Sequence, residues 1–232
     1  MKVSICIMRM YIVCACFFVC GCETDSLFRG YRFFMRGQYD MAIKQFTYYL
    51  NHSDDRDDNK EERAAGFFYR GLAWSMIKHG ESAIPDYEAA LSRIQDYFYA
   101  SFNLGVEYFQ MQQYVKSQNY FMKAWIGVVK AKNGELDHSK LWNRKSLDID
   151  CEFCFLYCSM VFARTRNLQG LRHLLEDSKA ISMTTENKST GIVKGMIKNV
   201  LEDNPNGVEE IEKLLEDRFN TRKKHYIRLG YR

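Results

Sequence analysis

The most constraining feature of this chain is an internal period. A small residue recurs with a second small residue twelve positions later and a large apolar residue four positions after that. The first unit has Gly30, Ala42 and Phe46, the second Gly71, Ala83 and Tyr87, and the third Gly105, Ser117 and Phe121. Gly71 and Gly105 are 34 residues apart, whereas Gly30 and Gly71 are 41 apart, the excess falling in an acidic stretch near Asp54 to Glu61. Phe33, Trp74 and Tyr108 share one aromatic position, Tyr39 and Tyr114 share another, and Ala90 and Ala124 close the second and third units. A fixed period of this length means stacked supersecondary units rather than one irregular core.

The spacing has a mechanical reason. Small residues at facing positions let the two helices of a hairpin approach closely, and aromatic residues fill the gaps beside them. Each hairpin leaves an apolar face that only the next can cover, so the unit repeats. From Leu27 to Val128 the pattern resembles the tetratricopeptide-repeat (TPR) family, without the proline usual near the end of each unit. The resemblance implies an all-α, TPR-like α-solenoid over residues 22–130.

Beyond Asn133 the pattern weakens. Cys158, Gly170 and Leu174 keep the spacing of twelve and four, as do Gly195, Gly207 and Ile211. They predict two degenerate hairpins over 148–220, after a linker over 131–147 and before a basic tail over 221–232. Asn204-Pro205-Asn206-Gly207 is a turn signal, and Val208, Ile211, Leu214 and Leu215 follow at helical spacing. Five hairpins, or about ten helices, are expected.

The N-terminus is of another kind. Lys2 and Arg9 precede the apolar run Met10 to Val19, which leads to Cys20, Gly21 and Cys22. A basic start, a short apolar stretch and small residues are the parts of a secretory signal. The run falls short of the ~20 apolar residues that span a bilayer, and extending it back to Val3 places Arg9 inside. Val19-Cys20-Gly21-Cys22 resembles the bacterial lipobox, with Cys20 where a smaller residue is usual. That resemblance implies removal of residues 1–21 and lipid (diacylglycerol, with palmitate-type chains) on Cys22. Two or more acyl chains make a durable anchor. Glu23 in place of Asp after the cysteine favours the periplasmic face of the outer membrane, the alternative being an ordinary cleaved signal that releases a soluble periplasmic protein.

Charge and chemistry narrow the function further. The net charge of +4 is too small by itself to point to a nucleic-acid partner, and none is expected. Acidic residues gather at Asp54, Asp55, Asp57, Asp58, Glu61 and Glu62, and basic ones at Arg218, Arg222, Lys223, Lys224, Arg228 and Arg232. The basic C-terminal stretch fits an anionic surface or a solvated last helix. The acidic run lacks the glycine and alternating ligands of an EF-hand and is expected to be a solvated loop. The five histidines are scattered, and no H-E-x-x-H, G-x-S-x-G or Walker pattern occurs. Cys151, Cys154 and Cys158 share a helix face; they are core residues, a disulfide-bonded pair with one left over, or thiolate ligands short of a fourth. No enzyme activity, cofactor or metal is expected.

In TPR proteins the first helix of each hairpin lines a concave groove. The resemblance assigns that wall to Phe28, Tyr31 and Phe34, then Phe68, Leu72 and Met76, then Tyr99, Phe102, Val106 and Phe109. No lysine clamp for a C-terminal carboxylate is present, Phe28 standing where one such lysine falls. An apolar helix or extended peptide is the matched ligand, unless the chain's own C-terminal helix or a second copy fills the groove. Glu62-Arg63-Ala64 and Tyr69-Arg70-Gly71 look like the adaptors that gather cell-wall hydrolases. The expected role is a lipid-anchored scaffold for other envelope proteins, with oligomers possible. The alternative is a lipoprotein that binds an apolar small molecule, working with a transporter.

Overall fold

A computed structural model describes residues 23–54, 59–136 and 147–180, with single helical positions at 194, 195, 197, 198, 209 and 213. The described residues form eight helices and no strand. These are α1 (Glu23–Met35), α2 (Tyr39–His52), α3 (Lys60–Met76), α4 (Gly80–Arg93), α5 (Phe98–Gln110), α6 (Tyr114–Asn133), α7 (Leu147–Arg164) and α8 (Leu168–Ala180). Each packs against the next in chain order. None is long and apolar enough to cross a membrane. The expected leader, Cys22, and most of the fifth hairpin and basic tail lie outside the described residues, although Gly195 is helical.

Four helix pairs close through one turn. Gln38, His79, Gln113 and Asn167 each donate their backbone N–H to the carbonyl five residues back, on Phe33, Trp74, Tyr108 and Phe162, at 2.8–3.0 Å. The residue before each donor, Gly37, Lys78, Gln112 or Arg166, is left-handed, with φ of 73°, 63°, 59° and 52°. Each turn then supplies its carbonyl to the N–H four residues on, at Ala42, Ala83, Ser117 and Leu171. Such αL closures satisfy carbonyls that a helix end would otherwise leave bare.

The turns set the register. Counting back seven residues from each left-handed position gives Gly30, Gly71, Gly105 and Ser159. The fourth set is therefore Ser159, Leu171 and Leu175, one residue later than the expected Cys158, Gly170 and Leu174. Its shared aromatic is Phe162. Gly170 fits the sequence spacing for another reason: its N–H donates to the Asn167 side-chain oxygen at 2.8 Å, an N-cap contact at the start of α8. The other three caps, Gln38, His79 and Gln113, make no side-chain cap bond.

The small residues do permit close approach. A Cβ on Gly30 or Gly105 would lie 2.7 Å from the ring of Phe46 or Phe121, and one on Gly71 3.0 Å from Tyr87. Ala42, Phe46, Ala83, Tyr87, Ser117 and Phe121 are fully buried. In the third hairpin the Ser117 hydroxyl also donates to the Gly105 carbonyl at 2.8 Å, tying the two helices together. The segment expected to be linker from 131 onward begins later, because α6 continues to Asn133. It stops at Gly134, where a left-handed φ of 78° lets the Glu135 N–H reach the Lys130 carbonyl at 2.9 Å.

Two apolar clusters result. The first joins α1 to α5 through Phe34, Phe46, Phe68, Tyr87, Tyr97, Leu104 and Tyr108 among others. The second joins α5 to α8 through Phe98, Val106, Phe121, Trp125, Phe155, Cys158 and Leu174, and it also takes in Ile197. Helix α5 belongs to both.

Candidate interaction surface and buried polar groups

The ten residues expected to line an open groove divide in two. Phe34, Phe68, Leu72, Met76 and Val106 are buried, each at most 7% exposed. They are core residues, which corrects their assignment to a free surface. Phe28, Tyr31, Tyr99, Phe102 and Phe109 are half-buried. The physical reason is that aromatics on one hairpin are covered by the next. Tyr31 meets Tyr69 of α3 edge-on at 5.2 Å between ring centres, and Phe68 lies 5.1 Å from Tyr97 and 6.2 Å from Tyr99. Phe102 packs on Phe121 at 5.4 Å and on Tyr157 of α7 at 4.8 Å. Phe109 stacks edge-on with Tyr114 at 5.5 Å and lies under the Arg164 guanidinium at 5.0 Å. Edge-to-face pairs of this kind contribute roughly 0.5–1.5 kcal/mol beyond the area they bury.

The polar groups that motif reasoning missed lie beneath this face. Arg70 of α3 grips Asp86 of α4 through two parallel bonds of 2.8 and 2.6 Å and reaches Thr47 of α2 at 3.2 Å. Asp86 is only 4% exposed. Burial raises its carboxyl above the ordinary range, and the Arg70 contact pulls it partly back. Arg63, 6% exposed, donates to the carbonyls of Leu50 and Ser53 and to the Ser53 hydroxyl, at 3.3, 2.6 and 2.6 Å. A guanidinium there closes the C-terminal end of α2, where negative dipole accumulates. Three guanidiniums, Arg63, Arg70 and Arg93, stand 6.0, 5.5 and 4.6 Å from the Phe67 ring. The signal available in the sequence was Arg70 facing Asp86, each one position off the repeat's small or aromatic residue.

A second network sits where α3, α4 and α5 meet. Ser75 donates to Glu107 Oε1 at 2.5 Å, so the 2.9 Å contact between Ser75 and Tyr87 has the Tyr87 hydroxyl as donor. Glu107 is 5% exposed, and Tyr87 is fully buried. Burial raises the Glu107 carboxyl, opposed by the Ser75 bond, and pushes the Tyr87 phenol well above its ordinary value.

The three cysteines are packed into the core without a disulfide. Cys151, Cys154 and Cys158 are buried at 0%, 3% and 0% exposure, and none is disulfide-bonded. The Cys158 thiol donates weakly to the Phe121 carbonyl at 3.3 Å, and burial raises it far above the ordinary thiol value. A thiol held neutral in this way is a poor nucleophile and a poor ligand. Among the described residues no cluster of His, Cys, Asp and Glu has the geometry to hold a metal ion.

A shallow cleft of about 390 Å³ runs between α4 and α6, lined by Glu88, Leu91, Asp96, Tyr120, Lys123 and Ile126 among others. Its mixed charge and open mouth offer no enclosed apolar pocket of the kind that buries a small ligand. No protein-family model, curated protein or solved structure matches the chain.

Proposed function

We propose that this protein is a non-catalytic scaffold of TPR type, held at the bacterial envelope by lipid on Cys22, that binds other envelope proteins. The observation that carries the scaffold reading is the reuse of one turn geometry in four successive helix pairs. A chain built this way spends its sequence on an extended stack of hairpins, and stacks of this kind act through their surfaces. The Val19-Cys20-Gly21-Cys22 motif supports the anchor.

The binding face is narrower than the full aromatic wall. Phe28, Tyr31 and Tyr99 are the candidates with partial exposure that are not locked against the fourth hairpin. Phe102 and Phe109 are poor probes, because replacing either also removes packing against Tyr157 or Arg164. The test is affinity capture from detergent-solubilised envelopes with the wild type and with Phe28→Ala and Tyr31→Ala, each first matched to the wild type in thermal melting because Tyr31 also packs on Tyr69. A partner recovered by the wild type and lost by both variants supports the reading; identical recoveries sink it. Cys22→Ala is expected to move the protein into the soluble fraction, and unchanged membrane association removes the anchor. The small-molecule alternative gains nothing from the open cleft between α4 and α6; a passenger retained in native mass spectrometry would revive it.

A further inference from the structure

We propose that Glu107 is a pH-operated latch at the seam between the two apolar clusters, closed when its carboxyl is protonated and loosened when it is ionised. The seam is α5. Val106 belongs to the second cluster and Tyr108 to the first, with Glu107 between them. The carboxyl crosses from α5 to Ser75 near the end of α3 and lies against Gly80, the first residue of α4.

The flanking hairpins show what this place normally holds. Positions equivalent to Ser75 and Gly80 are Phe34 and Tyr39 in the first hairpin and Phe109 and Tyr114 in the third. Both are edge-on aromatic pairs, at 5.6 and 5.5 Å. In the second hairpin both aromatics are absent, and Glu107 occupies the room. A side chain on Gly80 would run into the carboxylate. The molecule has thus exchanged an apolar joint for a titratable one at the single helix shared by its two cores.

No cation on the elements around it is shown to answer the charge. From α4, Asp86 and Tyr87 face the same space, and both Glu107 and Asp86 act electrostatically on Tyr87. Arg70 of α3 is committed to Asp86. In the turn beside Gly80, Lys78 and His79 are exposed to solvent, and from α6 Lys116 lies over the Tyr108 ring at 5.0 Å. Ser75 supplies one hydrogen bond. A carboxylate so buried, with one neutral donor among the described residues, is costly, whereas its neutral form is less so.

The sign follows from linkage. The folded-state value is raised, so the stabilisation is complete below the unfolded carboxyl value of about 4.3 and is lost as pH rises toward the folded value. The test is hydrogen exchange on the full chain between pH 4 and 8, corrected for intrinsic rates, in the wild type and in Glu107→Gln. In the wild type, opening of the last turn of α3 and of α5 rises with pH, at most about tenfold per unit, and then levels off. In Glu107→Gln, a neutral isostere that keeps the Ser75 bond, that rise is smaller, and what remains is the Asp86 share. Asp86 is present in both proteins, so the difference isolates Glu107. Equal pH dependence in the two proteins overturns the latch. So does a Gln variant that fails to fold where the wild type folds, because the neutral form must be the more stable one.

Discussion

The two apolar clusters are built from different materials. The first, from α1 to α5, packs Tyr and Phe rings against alanines, and three charged residues lie buried in or beside it: Arg63, Asp86 and Glu107. The second, from α5 to α8, also holds alanines and Tyr157, but adds Trp125, Val, Leu, Met and three cysteines, and its buried polar residues, such as Ser117 and Ser159, carry no charge. Apolar packing is tolerant of slips, whereas a buried ion pair is strongly destabilised when a partner moves. The first cluster is therefore the part whose helix register is pinned by charge, and the second is the part whose stability is close to pure burial.

The sharpest break in that comparison comes from removing one large group in each half. Asp86→Ala leaves the half-buried Arg70 guanidinium, 19% exposed, without its carboxylate, with an expected loss of about 3 kcal/mol, the low end for a buried pair. Trp125→Ala empties the second cluster at a similar cost, about 3–5 kcal/mol. Urea unfolding measures both, and the double replacement Arg70→Met with Asp86→Leu tells them apart. It is expected to recover most of the Asp86→Ala loss, because the ion pair contributes register more than net stability. A double variant as unstable as Asp86→Ala would mean that the pair carries net stability.

A smaller effect tests the close approach common to both clusters. Gly30→Ala and Gly105→Ala each drive a methyl into an aromatic ring 2.7 Å away, for a loss of about 1–3 kcal/mol by thermal melting. A matched change on the open surface, where nothing is crowded, is expected to cost little.

The pH response separates the halves again. Both shifted carboxyls of the first, Asp86 and Glu107, are raised by burial. Their contributions are complete below pH ~4 and fall as pH rises from there. In the second half the raised Cys158 thiol leaves stability unchanged until pH passes the free-thiol value of about 8.5, after which it declines. Exchange protection of α2 to α4 against that of α7, followed from pH 4 to 10, reads the two windows separately.

The smallest expected effect lies in the turns. Lys78, Gln112 and Arg166 hold a left-handed conformation that the first turn gives to Gly37. Replacing any of them by glycine relieves about 1 kcal/mol of backbone strain, less the entropy glycine adds to the unfolded chain, for a small net gain in melting temperature. A loss would show that the side chain is needed in its turn.

Much of the architecture was legible because the small-small-large spacing reports a steric requirement that nothing else satisfies. Gly71 and Ala83 stand where two backbones must pass closely, and Tyr87 where the gap must be filled. In the fourth hairpin Ser159 and Leu171 take the places of glycine and alanine, so the signal fades. Gly170, whose N–H is satisfied by the Asn167 cap, then mimicked the repeat one residue out of step. The cap obeys local backbone chemistry, and spacing alone does not distinguish it from a packing site.

The aromatic wall was legible as aromatic and not as buried. Phe34, Phe68, Leu72, Met76 and Val106 have the composition of a binding face, and whether they are exposed depends on how closely the next hairpin stacks. The sequence by itself determined that the chain is helical, that its helices pair in order and where the first three pairs touch, because periodicity and small residues are local properties. Only the tertiary structure decided that half of the wall is core, that the fourth hairpin starts its count at Ser159, and that Glu107 fills the space of an aromatic pair. Those outcomes depend on how closely successive hairpins stack and on where the fourth turn closes, which the repeat spacing does not encode.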